Sequence, residues 1–330
     1  MQSIQTVSEN TIYVGASDRR LAKFENLFPI PRGVSYNAYV ILDEKTALLD
    51  TADASVGAQF LENVAAALDG RKLDYLIVDH MEPDHAAMIE AVLVRWPDLR
   101  LVVNAKTLPM LKMYFPTDNA AIDDALVVKE GDTLDLGKHK LTFVMAPMVH
   151  WPEVMMTFDT TTGTLFSADA FGTFGALEGA LFADEVDFAG KWLDDARRYY
   201  TNIVGKYGAQ VQSQLKRAAG MEIQMICPLH GPIWRENLEW FLEKYQRWST
   251  YTPEDRGVAI FCGSIYGHTE NAAEILAARL SDKGVKNIAM YDVSVTHPSV
   301  IVAEAFRCSH LVFASTTYNA GIFINMETAL

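Results

Sequence analysis

Apolar residues recur along this chain at two spacings, and the switches between them outline its elements. Residues 36–42 and 46–50 are short apolar runs around Asp43-Glu44-Lys45, which predicts a hairpin. Residues 57–68 place Phe60, Leu61, Val64 and Leu68 on one helical face and stop at Asp69-Gly70. Apolar runs at 75–78, 101–103 and 141–145 predict strands, and 86–96 predicts a helix. Strands at 155–158 and 164–167 flank the turn Thr161-Thr162-Gly163. A long helical pattern, divisible into two pieces, covers 188–218; a strand at 223–227 and a helix at 238–248 follow.

The pattern then restarts. Residues 249–256 are polar and carry Pro253, which predicts a linker, with 251–256 as its centre. Beyond it, strands at 258–262, 287–291 and 311–314 alternate with helices at 269–283 and 298–307. Such alternation predicts a parallel sheet. The expected organisation is a first domain over 1–250 and a second over 257–330. No repeat or low-complexity segment interrupts it.

Composition narrows the function classes. The 330 residues are 50% hydrophobic and 21% charged, so a packed core is expected. A net charge of −14 provides no broad basic surface for nucleic acid or anionic membrane. Cys227, Cys262 and Cys308 are far apart, which excludes a disulfide scaffold and fits a reducing cytoplasm. No apolar run reaches the ~18 residues of a membrane span, and the first ten residues do not resemble a signal peptide.

Four short motifs follow apolar strands directly: His80-x-Glu82-x-Asp84-His85, His150-Trp151, Ser167-Ala168-Asp169 and Leu229-His230. Loops at strand ends can converge on one edge of a sheet. Four ligand-type side chains within six residues would repel and desolvate one another without a cation. Seven such side chains exceed one tetrahedral site, so two metals are expected, with Asp169 as the bridging carboxylate. A carboxylate-rich set points to non-haem iron, although manganese or zinc accepts the same donors. His139 and His310 fit no such pattern.

The intervals between these motifs are 64 residues from His85 to His150, 18 to Asp169 and 60 to His230. This spacing resembles that of the flavodiiron proteins (A-type flavoproteins), as do Tyr36-Asn37-Ala38-Tyr39, His150-Trp151-Pro152, Ser167 to Gly172 and His230-Gly231-Pro232. The resemblance implies an α/β chain: a metallo-β-lactamase αββα sandwich followed by a flavodoxin-like doubly wound parallel sheet. It also implies one iron on His80, Glu82 and His150, another on Asp84, His85 and His230, and Asp169 bridging. Hydrolytic members of that fold carry a histidine where this chain has Glu82. Phe24, Glu25, Tyr36, Trp151 and Phe171 are expected to shape the substrate pocket.

The second domain adds an independent motif. Ser264-Ile265-Tyr266-Gly267-His268-Thr269 joins a strand to a helix N-terminus, where backbone and hydroxyl groups can wrap a phosphate. It resembles the flavodoxin phosphate loop. Ser315-Thr316-Thr317-Tyr318-Asn319-Ala320-Gly321 follows the third strand and resembles the loop beside the flavin ring. In flavodoxin-like sheets FMN lies at the switch between strands one and three. Three strands are present where that fold has five, so the resemblance implies an incomplete flavin domain with weakened FMN retention.

The resulting expectation is an oxidoreductase that passes electrons from FMN to a diiron centre reducing O2 to water, NO to N2O, or both. The resemblance further implies a donor such as rubredoxin or a flavin or deazaflavin reductase, and a head-to-tail homodimer. A metallo-β-lactamase-type hydrolase is the alternative chemistry, and a closed electron-transfer or storage protein the alternative without turnover.

Overall fold

The computed structural model describes residues 2–115 and 120–330. Packing divides the chain into two compact units, Met1–Ala196 with Gln210–Glu239, and Arg197–Ala209 with Trp240–Leu330.

The first unit contains two mixed sheets. In the larger, the expected hairpin pairs Tyr39–Leu42 with Thr46–Leu49, and Tyr75–Ile77, Arg100–Asn104 and Leu126–Val128 extend it in parallel. Its central strands are fully buried on both faces at Val40, Leu48, Ile77 and Val102, as parallel strands under covering layers require. The N-terminal segment supplies two further short strands, the polar Gln5–Thr6 and Thr11–Tyr13, the second too short to stand out as an apolar run. The smaller sheet runs Thr133–Asp135, Lys140–Met145, Met155–Asp159, Thr164–Phe166 and Met225–Cys227.

Helix Gly57–Leu68 buries Phe60, Val64 and Leu68 and ends on Asp69 and Gly70, both in the left-handed region. The helix expected over 86–96 is broken instead into Pro83–Ala86 and Ile89–Arg95. Thr51 explains the break: its amide (3.0 Å) and hydroxyl (2.5 Å) both take the His85 carbonyl that a continuing helix would need. The 188–218 stretch is likewise divided, with a π-helical turn at Tyr200–Val204 between shorter helices.

The second unit is a three-stranded parallel sheet in the order Ile288–Asp292, Asp255–Gly263, Cys308–Ser315. Its central strand alternates faces. Ala259 and Phe261 pack with Ile301 and Met326 on one side, while Val258, Ile260 and Cys262 pack with Ala273 on the other. Helices therefore cover both faces, the doubly wound arrangement.

Helix Leu238–Ser249 packs largely within this unit, and Glu254 ties the polar junction to it. Arg197 pairs with Glu254, Trp248 Nε1 donates to it at 2.6 Å, and Lys244 lies at 3.3 Å. Burial pushes the Glu254 carboxyl up, but these partners outweigh it and hold the group below its ordinary value. Glu254→Gln should cost about 1.5–3 kcal/mol, because buried Arg197 would lose a charge-assisted partner. Because the folded pKa is depressed, the pair's contribution is complete above the unfolded value of about 4.3. It fades as pH falls through the folded one. Urea unfolding followed by circular dichroism checks both; a loss under about 1 kcal/mol at neutral pH, the range of exposed pairs, would contradict the buried-pair account.

Candidate metal centre and flavin loops

Four loops bring the seven expected side chains together. Strand Tyr75–Ile77 leads into His80, and Glu82 caps the short helix that begins at Pro83, so Asp84 and His85 occupy its first turn. Asp50 Oδ1 accepts the Asp79 and His80 amides at 2.9 and 3.2 Å and fixes the loop. His150 follows Lys140–Met145, and Asp169 follows Thr164–Phe166. His230 follows Met225–Cys227, and Asn37 pins its loop by donating to the Pro228 and Gly231 carbonyls at 2.9 and 2.8 Å. Gly231 is needed there: φ is +76°, and a Cβ would lie 2.1 Å from Thr173 Cγ2.

The side chains form two groups, His80, Glu82, His150 and Asp169, and Asp84, His85 and His230. All seven are buried. Asp169 faces both groups: Oδ2 lies 3.2 Å from His80 Nε2 and 3.1 Å from His150 Nε2, while Oδ1 lies 3.2 Å from His85 Nε2 and 3.5 Å from His230 Nε2. Glu82 Oε2 is 3.3 Å from His80 and 3.1 Å from His150, and Asp84 Oδ2 is 3.3 Å from both His85 and His230.

The donor chemistry fits metal. His80 Nδ1 lies 2.8 Å from Glu153, and His230 Nδ1 lies 2.7 Å from the Ser35 carbonyl. Both outer nitrogens therefore donate, and in the neutral rings the inner Nε2 atoms present lone pairs to carboxylate oxygens. That arrangement repels unless protons or cations lie between. Both Asp84 oxygens and Asp169 Oδ1 are buried without a hydrogen-bond donor. With no cation, burial lowers His80 but Asp169 outweighs it and pushes the ring well above its ordinary value. Burial is likewise outweighed at His150, raised to about 9 by Asp169 and Glu82, and at His85, raised by Asp84 and Asp169. Imidazoles and carboxylates that must otherwise share protons can exchange them for metal ions.

Aromatic rings line this centre. Tyr36 packs edge-on to His85 and His230, Phe24 to His230, and Trp151 to His80 and His150. Phe171 is buried two residues after Asp169. An open cleft of about 270 Å³ runs between hairpin Lys23–Phe24/Phe28–Pro29 and the Glu82–Asp84 turn. Glu25 at the hairpin tip meets Glu82 there; burial and that carboxylate push it up to about 8.

Sequence reasoning missed Glu153, Asp50 and Thr51. Glu153 stands three residues after His150, yet it serves His80, 73 residues away, and no spacing encodes that pairing. His139, outside the cluster, is buried against Asp159 at 2.7 Å. His310 sits on an exposed part of strand Cys308–Ser315.

In the second unit, Ser264, Ile265, Tyr266 and Gly267 form the turn between strand Asp255–Gly263 and helix His268–Asp282, whose first residues are His268 and Thr269. Gly267 has φ +85° and donates its amide to Ser264 Oγ at 3.1 Å. Tyr266 is 88% exposed. The loop of Ser315, Thr316, Thr317, Tyr318, Asn319 and Gly321 is adjacent, since Thr316 donates to the Gly263 carbonyl at 3.1 Å. Within it Thr317–Tyr318 pairs with Gly321–Ile322 around Asn319 and Ala320, both left-handed.

Known proteins share this fold. Residues 34–231 match the family model for the ODP family beta lactamase. The anaerobic nitric oxide reductase flavorubredoxin of Vibrio vulnificus is 32% identical over 320 residues, covering 95% of this chain; the chain spans 63% of that relative's length. The crystal structure of the flavodiiron protein from Giardia intestinalis superposes with a TM-score of 0.92 at 26% identity, over 100% of this chain and 79% of that one. Rubredoxin oxygen:oxidoreductase from Desulfovibrio gigas gives 0.91 at 30% identity, over 99% and 81%. The two sheets of the first unit are thus a metallo-β-lactamase fold and the second unit is flavodoxin-like, and the chain belongs to the ODP beta-lactamase family and, with it, to the flavodiiron proteins.

Proposed function

We propose that this chain passes electrons from FMN to a non-haem diiron centre that reduces O2 to water, NO to N2O, or both. The observation that carries this reading is the buried pair of ligand groups facing one Asp169 from opposite oxygens. His80, Glu82 and His150 would hold one iron, Asp84, His85 and His230 the other, and Asp169 both. Residues 264–269 would hold the flavin phosphate, and Ser315, Thr316, Thr317, Tyr318, Asn319 and Gly321 would flank its ring. This assigns metal chemistry to 1–250 and flavin binding to 257–330, with 251–256 as the join. When bound, the irons and FMN supply the electron transfer and gas activation. The protein's own part is to orient the imidazoles, exclude water with Phe24, Tyr36 and Trp151, and place the Glu25 carboxyl beside Glu82.

The names of the relatives support a rubredoxin-type donor and gas substrates, and a flavin or deazaflavin reductase is the other donor class. A second chain in head-to-tail contact would complete the path between flavin and iron. Three unpaired cysteines support a cytoplasmic setting, and no helix among the described residues is long and apolar enough to cross a membrane. A hydrolase would have no use for the flavodoxin-like unit, and Glu82 replaces the imidazole that hydrolases of this fold carry.

The test is metal and flavin analysis followed by amperometric consumption of O2 and of NO by the same reduced preparation. Two irons per chain and turnover of at least one gas are expected. Zinc alone after growth in iron-replete medium, or turnover of neither gas, would overturn the reading.

A further inference from the structure

Glu153 is 1% exposed, and Oε1 accepts two hydrogen bonds, from His80 Nδ1 at 2.8 Å and from the Met81 amide at 2.9 Å. The residue is itself anchored. Its carbonyl accepts Asn104 Nδ2 at 2.5 Å, and Asn104 Oδ1 accepts the Lys106 and Thr107 amides at 2.9 and 3.1 Å, so the end of strand Arg100–Asn104 sets its position. With Nδ1–H directed at Glu153, His80 is held in the tautomer whose Nε2 faces Glu82 and Asp169.

The other group lacks this support. Behind His230 stands a neutral acceptor, the Ser35 carbonyl, and His85 Nδ1 is buried without a hydrogen-bond partner. A carboxylate behind a metal-binding imidazole fixes the ring and raises its basicity. Removing such a partner typically costs about 10–100-fold in metal affinity.

We infer that Glu153 is a positioning residue that makes the two metal positions unequal, so that the position of His80, Glu82, His150 and Asp169 fills first and holds its ion more tightly than that of Asp84, His85 and His230. The inference rests on the two-metal reading above. Asp169 serves both positions and cannot distinguish them; Glu153 touches one alone.

Calorimetric titration of chelator-stripped protein with Co(II), and with Fe(II) under anaerobic conditions, tests it. The unmodified chain should bind two ions in two resolved steps. Glu153→Gln keeps the shape and an acceptor but removes the charge. It should weaken the tighter step about 10–100-fold and leave the weaker one in place. Asn104→Ala, which frees the Glu153 carbonyl without touching a ligand, should weaken the same step by a smaller factor. It also serves if Glu153→Gln fails to fold by circular dichroism. His230→Asn should remove the weaker step alone. Two indistinguishable steps in the unmodified chain would overturn the inference while leaving the diiron reading intact, and so would a tight step unmoved in the folded variants. Fewer than two ions bound by the unmodified chain would overturn both.

Discussion

Asp169→Asn is expected to empty both metal positions, because its two oxygens are aimed at different groups: Oδ2 at His80 and His150, Oδ1 at His85 and His230. An amide can present only one oxygen. Its NH2 would meet one pair of imidazole nitrogens with hydrogens, so no rotamer serves both groups. Losing a directly coordinating group should exceed the about 10–100-fold that loss of an outer partner costs. The variant as purified should carry less than one iron per chain, and gas turnover should be undetectable. Thermal stability should no longer rise on adding Fe(II), whereas the unmodified protein should gain roughly 2.7 kcal/mol at metal a hundredfold above its dissociation constant. Elemental analysis and a melting series check this. Retention of two irons would exclude Asp169 as the shared ligand.

Glu82→His should shift the metal preference without unfolding the chain. Glu82 Oε2 faces His80 and His150 from the start of the Pro83–Ala86 turn, at the edge of the open cleft. An imidazole there replaces a hard oxygen by a nitrogen and gives the first position three histidines, a set suited to zinc. It also removes the carboxylate beside Glu25, which after burial is the main cause holding that carboxyl up. Expression in medium containing both metals should give a zinc-enriched protein with little O2 or NO turnover. If the variant retains iron and turns over either gas at the original rate, Glu82 is not what separates this site from a hydrolase.

The chemistry was legible where it is compressed into short spans. His80, Glu82, Asp84 and His85 lie within six residues, and four ligand-type groups that close favour a cation once they are buried together. The strand-to-loop positions of His150, Asp169 and His230 were legible too, as was the neighbouring placement of the 264–269 and 315–321 loops, because apolar runs mark where strands end. Helix Gly57–Leu68 was readable to the residue, since its apolar face and its Asp69-Gly70 stop are local signals.

What the tertiary structure alone decided involves partners distant in sequence. The helix expected over 86–96 breaks because Thr51, 34 residues earlier, captures the His85 carbonyl. Thr11-Ile12-Tyr13 favours extension but is too short to mark a strand until the Tyr39–Leu42 edge pairs with it, and Gln5–Thr6 is a strand only because it pairs with Ile12–Tyr13 in turn. Glu153 reads as one loop carboxylate among many until the fold sets it behind His80. Glu254 reads as a linker residue until Arg197 and Trp248 enclose it. Sequence by itself determined which ligand types are present and near which strand ends, since pattern and charge act over a few residues. The equal facing of Asp169 toward two groups, and the unequal support behind them, were decided only by tertiary packing, because hydrogen bonds and burial depend on distances in space that no interval along the chain records.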